Sequence, residues 1–234
     1  LAPDGRLREQ ISDVPPSSLL DVLNVRYIIA DKVRDLWFED VYYDRQIGMT
    51  LEPNAPGGEI ASPEIFEATH LDLIGAIEGD AEALSALADT LLEVALVTVH
   101  SAEDSNEYTV TAGALPGANL AEGALESEIA QSSGAVVAYQ DVENGMQEYR
   151  VRIPLDAPTD PSTISVELAP EAAPAGLSVR LQAATLLDER TGMFAPLLPS
   201  DRGDFALTHS GDVKVYENLS HAPRAWLAHT TIEE

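Results

Sequence analysis

The two ends of the chain carry similar strand-forming segments, and these constrain the fold more than any other feature. Residues 19–31 and 212–218 are short, rich in β-branched and aromatic residues, and bounded by turn formers, and residues 223–229 share this character. Such segments predict strands. A long stretch with a different residue pattern separates them. We therefore predict one small α+β module, residues 1–36 with 198–234, that is interrupted by an inserted domain, residues 37–197.

The N-terminal segment predicts a helix followed by a strand. Ser17 or Ser18 follows two prolines and can cap a short helix over the leucines at 19, 20 and 23. Residues 25–30 are then predicted as a strand. The uninterrupted apolar run at residues 27–30 predicts that this strand is covered on both faces.

The middle of the chain has the pattern of an antiparallel β-sandwich. Turn signals recur at the short intervals typical of that class, and residues 36–43 predict a hairpin that turns near Glu39 and Asp40. A second hairpin is predicted to turn at residues 188–192. Residues 149–153 alternate as a half-buried strand should. The further predicted strands are 47–51, 92–99, 108–112, 135–139, 149–155, 163–168, 177–187 and 193–197.

Three segments of the middle are less regular. Residues 65–77 fit a strand or a helix. Residues 81–92 are rich in alanine with apolar residues at helical spacing, and they predict one short helix. Residues 113–134 are rich in Gly, Ala, Glu and Ser and predict a long, mobile loop. With these assignments the fold class is mostly β.

The charge of the chain excludes several kinds of partner. Its 234 residues include 40 Asp and Glu against 13 Lys and Arg, a net charge of −27. Such a surface repels phosphate, which excludes nucleic acid and argues against docking on anionic lipid headgroups. The chain has no cysteine, so disulfides, thiolate nucleophiles and cysteine-bound metals are excluded. Acidity of this kind keeps a protein soluble and monomeric, with an acidic surface built for cations as the alternative.

No segment of the sequence predicts a membrane helix. The longest apolar runs reach about half of the ~20 residues that a spanning helix needs. The first residue is Leu1 rather than Met, so we expect the chain to be a piece of a longer protein.

The two end segments resemble a known family. Residues 19–29, Leu-Leu-Asp-Val-Leu-Asn-Val-Arg-Tyr-Ile-Ile, are similar to a stretch of the YfhO-like bacterial polytopic membrane proteins. Residues 213–218 with 223–225 resemble the C-terminal stretch of that family. There, both stretches lie in a large extracytoplasmic region that follows many membrane helices. The resemblance implies a location at the extracytoplasmic face of a bacterial cell membrane, with the membrane-spanning part of the parent chain as partner.

The same resemblance bears on catalysis. The helical part of the family is similar to the C-type superfamily of glycosyltransferases, which use lipid-linked sugar donors. The catalytic acids of those enzymes lie in loops between membrane helices. None of those loops is present here, so no catalytic residue carries over, and we expect this chain to be non-catalytic.

Residues 37–197 resemble a jelly-roll or galactose-binding-like sandwich of the carbohydrate-binding-module type. This likeness depends on the strand pattern and on the hairpin at residues 186–194, and it implies a glycan as ligand. Trp37, Tyr42 and Tyr43 are the aromatic candidates for stacking on a sugar ring, although aromatic residues in alternating strands also belong to cores. Arg224 is the charged candidate, with a structural ion pair as the alternative.

The metal candidates are acidic turns. Glu103 and Asp104 lie in an oxygen-rich stretch between two predicted strands, and Ca²⁺ takes six to eight oxygen ligands. A solvated turn is the alternative. Asp188 in the second hairpin is a further calcium candidate, with an Asx-turn as its alternative. The histidines, including His70 and His100, lack compact ligand spacing, and we expect no other cofactor.

Three functions are compatible with these patterns. The first is a non-catalytic domain that recognises or positions a glycan or a lipid-linked sugar. The second is a structural or protein-interaction module that braces the membrane domain, which an exposed apolar patch without a groove would favour. The third is a glycoside hydrolase whose carboxylate pair cannot be recognised among so many acids.

Overall fold

The computed structural model describes residues 14–62, 66–80, 82–84, 91–113, 147–201 and 204–222, which fold mainly into antiparallel β-strands. The prediction of a mostly β fold with antiparallel sheets is therefore confirmed. The elements are α1 (Ser17–Val22), β1 (Tyr27–Ala30), β2 (Leu36–Phe38), β3 (Val41–Tyr43), β4 (Met49–Leu51), β5 (Gly57–Ala61), β6 (Ala68–Glu78), β7 (Leu91–His100), β8 (Ser105–Gly113), β9 (Gln147–Thr159), β10 (Thr163–Leu168), β11 (Ser178–Asp188), β12 (Met193–Leu197), β13 (Phe205–Ser210) and β14 (Lys214–Asn218).

The chain divides into two compact units. Leu1–Val33 with Asp204–Glu234 forms the terminal unit, and Arg34–Gly203 forms the central unit. None of the helices in the described ranges is long and apolar enough to span a bilayer.

The central unit contains two antiparallel sheets that share one apolar core. One sheet has the order β5-β10-β7-β8 and the other has the order β12-β11-β6-β9, with β4 also paired to β11. Their core-facing side chains form a single cluster, which includes Ile60, Val97 and Ile164 from the first sheet and Leu71 and Ile153 from the second. This arrangement follows from the alternation of apolar residues along the strands, which places every second side chain on the buried face.

The second sheet is covered on its outer face as well. Val41 and Tyr43 of the β2–β3 hairpin pack on Ile74, Ala183 and Leu187. Accordingly, β11 alternates between buried and half-buried residues in its first half and is continuously buried from residue 183 onward.

This covering corrects the prediction that β9 is half-buried. Arg150 belongs to the polar side of the alternation, yet it is only 8 % exposed. The polar face of β9 is therefore covered at Arg150, while Arg152 on the same face stays partly exposed.

The hairpin turns at Glu39 and Asp40, as the sequence predicts. Both residues have positive φ, 49° and 62° respectively. Two central residues with positive φ are characteristic of a type I′ turn, which matches the right-handed twist of the flanking strands.

The terminal unit contains α1 and a three-stranded sheet with the order β1-β14-β13. The two ends therefore pair with one another, with Tyr27 opposite Glu217 and Ala30 opposite Lys214. The side-chain amide of Asn218 donates to Asp21 Oδ1 at 2.9 Å, across 197 residues of sequence. Hydrogen bonding between such distant residues joins α1 to the C-terminal strand.

The prediction that β1 is covered on both faces is wrong. Tyr27 is 48 % exposed and Ile29 is 70 % exposed, whereas Ile28 and Ala30 are half-buried. An apolar run shows that a strand is hydrophobic, but it does not show that a partner covers both of its faces.

The described residues cover parts of the three segments that are less regular in sequence. Of residues 65–77, which fit a strand or a helix, residues 68–77 belong to the strand β6. Of the helix predicted over 81–92, the described part is one turn at 82–84, and residues 91–92 already belong to β7. The predicted loop at 113–134 falls outside the described residues beyond Gly113, as do the predicted strands at 135–139 and 223–229.

Candidate functional site

Two of the predicted aromatic candidates lie side by side on the β2–β3 hairpin. Trp37 and Tyr42 are cross-strand partners, with ring centroids 5.2 Å apart and an interplanar angle of 49°. Phe194 of β12 contacts Trp37 edge-on, at 5.7 Å and 86°. Because Leu36 and Phe38 point toward the outer core cluster, alternation places Trp37 on the opposite side of β2, where it is 64 % exposed. Trp37, Tyr42 and Phe194 are hereafter the aromatic cluster.

Tyr43, the third aromatic candidate, is a core residue and not a ligand-binding one. It is fully buried, and its hydroxyl donates to Asp72 Oδ2 at 2.6 Å. Burial and the negative charge of Asp72 raise the pKa of the Tyr43 hydroxyl well above its usual range. A sugar ring cannot reach Tyr43, because strand alternation turns it inward next to the outward-facing Tyr42.

Asp72 lies at the centre of a buried ion-pair network under the hairpin. It is fully buried, and Arg152 donates to both of its oxygens from Nε and Nη2 at 2.8 Å each. This hydrogen bonding raises the pKa of Arg152 above its ordinary value. Arg152 Nη1 also donates to Glu189 Oε1 at 3.1 Å. The network satisfies a carboxylate that would otherwise be costly to bury.

A second ion pair holds the tip of the hairpin. Arg150 Nη1 donates to Glu39 Oε2 at 2.6 Å, and the Arg150 guanidinium lies 4.4 Å from the centroid of the Phe38 ring. A cation over an aromatic face is favourable, more so when it is desolvated. The hairpin that carries Trp37 is therefore fixed at its turn by Arg150 and at its base by Tyr43 and Asp72.

These contacts determine what the site can do chemically. The exposed face of Trp37 offers an apolar surface to a flat ligand such as a pyranose ring. Asp72 and Glu189 are brought together through Arg152, but Asp72 lies beneath Tyr43 and is neutralised by the guanidinium. A hydrolase needs two accessible carboxyl groups on either side of a glycosidic bond, and this pair does not provide them.

The calcium candidates lie in turns. The backbone N–H groups of Glu103 and Asp104 donate to Ser101 Oγ at 3.4 and 3.1 Å, so a serine closes the turn between β7 and β8. Within the described ranges, no group of three or more His, Asp or Glu side chains is placed to hold a metal ion.

The side chain of Asp188 stabilises the turn of its own hairpin, between β11 and β12. Its Oδ1 accepts from the backbone N–H of Arg190 at 3.1 Å and from Arg190 Nε at 2.7 Å, and its Oδ2 accepts from Thr191 Oγ1 at 2.9 Å. The hydrogen bond from Arg190 lowers the pKa of Asp188. These contacts are those of the Asx-turn alternative, and a calcium ion would have to displace the guanidinium.

The histidines His70 and His100 do not join the aromatic cluster. Arg224 lies outside the described residues. His100 lies within 3.0 Å of Ser105 Oγ and Ser165 Oγ, and His70 Nε2 lies 3.7 Å from Glu189. Phe194 and the Asp72–Arg152 pair are parts of the site that the sequence patterns did not predict. The available signal was Asp72 itself, a single acid within the apolar run of residues 71–74.

An apolar pocket lies between the two sheets of the central unit. It encloses about 430 Å³ of space, part of it open to solvent, and side chains such as Leu73, Val94, Val110 and Leu181 line it. A binding pocket normally adds a few polar groups that orient the ligand, whereas the only polar side chain among these lining residues is Thr111. The pocket therefore belongs to the core and does not define a site.

Comparison with known proteins gives no relative. No protein-family model, no curated protein and no solved structure matches the chain.

Proposed function

We propose that this chain is a non-catalytic extracytoplasmic domain of a YfhO-like bacterial membrane protein, in which it recognises or positions a glycan or lipid-linked sugar. The resemblance of the two end segments supports the setting. The two antiparallel sheets support a jelly-roll or galactose-binding-like topology for the central unit. The observation that supports a sugar as the ligand is the 64 % exposure of Trp37 within a cluster of three aromatic rings.

The charges around the cluster favour an uncharged sugar. Arg150 and Arg152, the basic residues of the β9 face beneath the hairpin, are both bonded to carboxylates. With Arg34–Gly203 carrying seven Lys and Arg against 30 Asp and Glu, an anionic sugar ring would meet repulsion. Stacking on Trp37 requires only the apolar face of a pyranose ring, and this contact works for neutral sugars.

The test is replacement of the exposed indole. Screening against bacterial envelope glycans on an array, followed by calorimetry on the best ligand, is expected to show binding by the native chain. Trp37→Ala should weaken that binding by about tenfold, which corresponds to ~1.4 kcal/mol. The matched control is Met193→Ala, since Met193 is 62 % exposed in the same unit without a ring to stack on a sugar.

Two outcomes would remove the recognition role. One is an absence of binding to every envelope glycan and lipid-linked sugar on the array. The other is a Trp37→Ala variant that binds with native affinity, because the ligand would then use another surface.

A second candidate function is an interaction module that braces the membrane part of the parent chain or a partner protein. It is favoured by the distribution of exposed apolar side chains. Among the described residues, nine of the eleven large exposed hydrophobic residues lie in the terminal unit: Leu19, Val22, Leu23, Tyr27, Ile29, Val33, Leu207, Val213 and Leu219. Where such residues form a contiguous apolar patch, they mark an interaction site.

A further inference from the structure

One edge of the terminal sheet is without a partner strand among the described residues. In the order β1-β14-β13, β1 pairs with β14 on one side only. The backbone N–H of Asn218 donates to the carbonyl of Arg26 at 2.8 Å. This hydrogen bond shows which residues of β1 direct their backbone groups toward β14. Because alternate residues of an antiparallel pair face the partner, Tyr27 and Ile29 direct their N–H and C=O groups away from β14.

Apart from its short length of four residues, β1 lacks the usual protections against strand addition among the residues that the structure describes. Natural edge strands carry lysine, proline, inward charges or bulges, and the four residues of β1 contain none of these. The side chains of Tyr27 and Ile29 are also exposed, and Val215 of β14 lies opposite Ile29 on the same face. The strand therefore offers a main-chain edge and an apolar face together.

Charge separates this unit from the rest of the chain. Leu1–Val33 with Asp204–Glu234 carries six Lys and Arg against ten Asp and Glu, a net charge of −4. Arg34–Gly203 carries seven against 30, a net charge of −23. The apolar surface thus belongs to the nearly neutral unit, while the acidic unit repels anionic molecules and other copies of the chain.

We propose that the free edge of β1 accepts an extended segment of another protein as an additional strand, and that this segment is apolar on one face and neutral or basic overall. This inference rests on the second candidate function, the interaction module. The main-chain groups of Tyr27 and Ile29 require an extended peptide, and their side chains favour β-branched or aromatic residues opposite them. A second copy is a poor occupant, because each copy carries a net charge of −27.

The first test is amide hydrogen exchange on the whole chain. The amides of Ile28 and Ala30, which face β14, are expected to be protected, while those of Tyr27 and Ile29 exchange at least tenfold faster. Slow exchange at Tyr27 and Ile29 in the isolated chain would overturn the proposal, since the edge would already be covered by another part of the same chain. Protection that grows with protein concentration would also overturn it, in favour of a second copy.

The second test adds a strand. The probe is the synthetic peptide acetyl-Lys-Thr-Val-Thr-Val-Thr-Lys-amide, titrated into the isotope-labelled chain. It is expected to slow exchange at Tyr27 and Ile29 by tenfold or more and to shift their amide resonances. The same peptide with proline at its central position should have no such effect, because proline cannot donate to the ladder.

Variants of the chain complete the design. Ile29→Lys should weaken peptide binding at least fivefold, whereas Met193→Lys, at a residue that is 62 % exposed and belongs to the central unit, should leave it unchanged. No response to the peptide, or an equal response to the proline peptide, would overturn strand addition. An apolar partner that binds while the amides of Tyr27 and Ile29 still exchange freely would also overturn it, although the interaction module itself would stand. Glycan binding through Trp37 is measured separately and does not depend on this result.

Discussion

The position of the β2–β3 hairpin depends on the hydrogen bonds that one buried carboxylate, that of Asp72, accepts. Asp72 has no exposed surface, and it accepts hydrogen bonds from Arg152 and from the hydroxyl of Tyr43. A buried ion pair adds little net stability compared with an apolar replacement, but removal of one partner leaves an uncompensated charge. The network therefore favours one position of the hairpin over others, since Asp72 receives the hydrogen bond from the Tyr43 hydroxyl only when Tyr43 lies above it.

At the same scale, the Tyr43 hydroxyl predicts a dependence of stability on pH. Because its pKa is raised in the folded chain, the unfolded chain, with a tyrosine pKa of ~10, loses this proton first. The contribution of Tyr43 is complete below pH ~10 and is lost as the pH rises toward the folded pKa. The unfolding free energy of the native chain should then fall more steeply above pH ~10 than that of Tyr43→Phe, by up to ~1.4 kcal/mol per pH unit.

Urea unfolding at a series of pH values from 8 to ~11.5 measures this difference, in a range that brackets the unfolded pKa. Tyr42→Phe is the matched control, because it removes a hydroxyl from the adjacent, outward-facing residue and should keep the native slope. Parallel curves for the native chain and Tyr43→Phe would show that the buried hydroxyl is not held protonated.

At the scale of the element, the type I′ turn fixes how the β2–β3 hairpin presents Trp37. Asp40 has a φ of 62°, in the left-handed region that glycine adopts without steric cost. Asp40→Gly should therefore raise the unfolding free energy by about 0.5–1 kcal/mol. Asp40→Val should lower it by a larger amount, because a β-branched residue is strained at positive φ.

The midpoint of urea unfolding measures both changes, with Glu39 kept so that its ion pair with Arg150 is intact. A glycine variant less stable than the native chain would contradict the assigned turn. The hairpin should also pair Trp37 with Tyr42 unchanged in the glycine variant, so its glycan binding should match that of the native chain.

The elements also show what the sequence could predict. The hairpins at Glu39–Asp40 and at residues 188–192 were predictable because turn chemistry is local, and β10 and β12 have the predicted bounds. The burial of Arg150 was not predictable from the sequence. A strand alternates between polar and apolar residues in the same way whether its polar face is covered by protein or exposed to solvent. Only the tertiary structure shows that the hairpin lies on it.

The candidate site was predictable to a similar extent. Trp37 and Tyr42 were predicted as site residues because they are aromatic and lie on a predicted hairpin. The sequence alone did not establish which alternate residues of the strand face inward, so Tyr43 was predicted as a site residue as well. The pairing of Asp72 with Arg152 depends on the register of two strands about 80 residues apart. That register is set by packing of the whole sheet, which no local pattern contains.

At the scale of the whole molecule, the terminal unit is assembled from the most distant parts of the chain. Asp21 accepts from Asn218 and from Ser220 Oγ, at 2.9 and 2.7 Å, and Arg26 donates to Glu217 at 2.8 Å. All of these contacts close a loop that contains the entire central unit. Closure of so long a loop costs conformational entropy, but the cost grows only slowly with length, and a compact inserted unit reduces it further by keeping its ends close together.

This architecture predicts the effect of removing the C-terminal strands. Deletion of residues 205–234 removes β13 and β14, and β14 is the strand to which β1 pairs. The amides of Ile28 and Ala30 should then exchange at the rate of an unfolded chain, while amides in the centre of β6 and β11 keep their protection. Deletion of residues 223–234 alone is the matched control, because it leaves the β1–β14 ladder in place. Native protection of Ile28 and Ala30 in the larger deletion would show that β1 is held by something other than β14, and the two ends would then no longer form one unit.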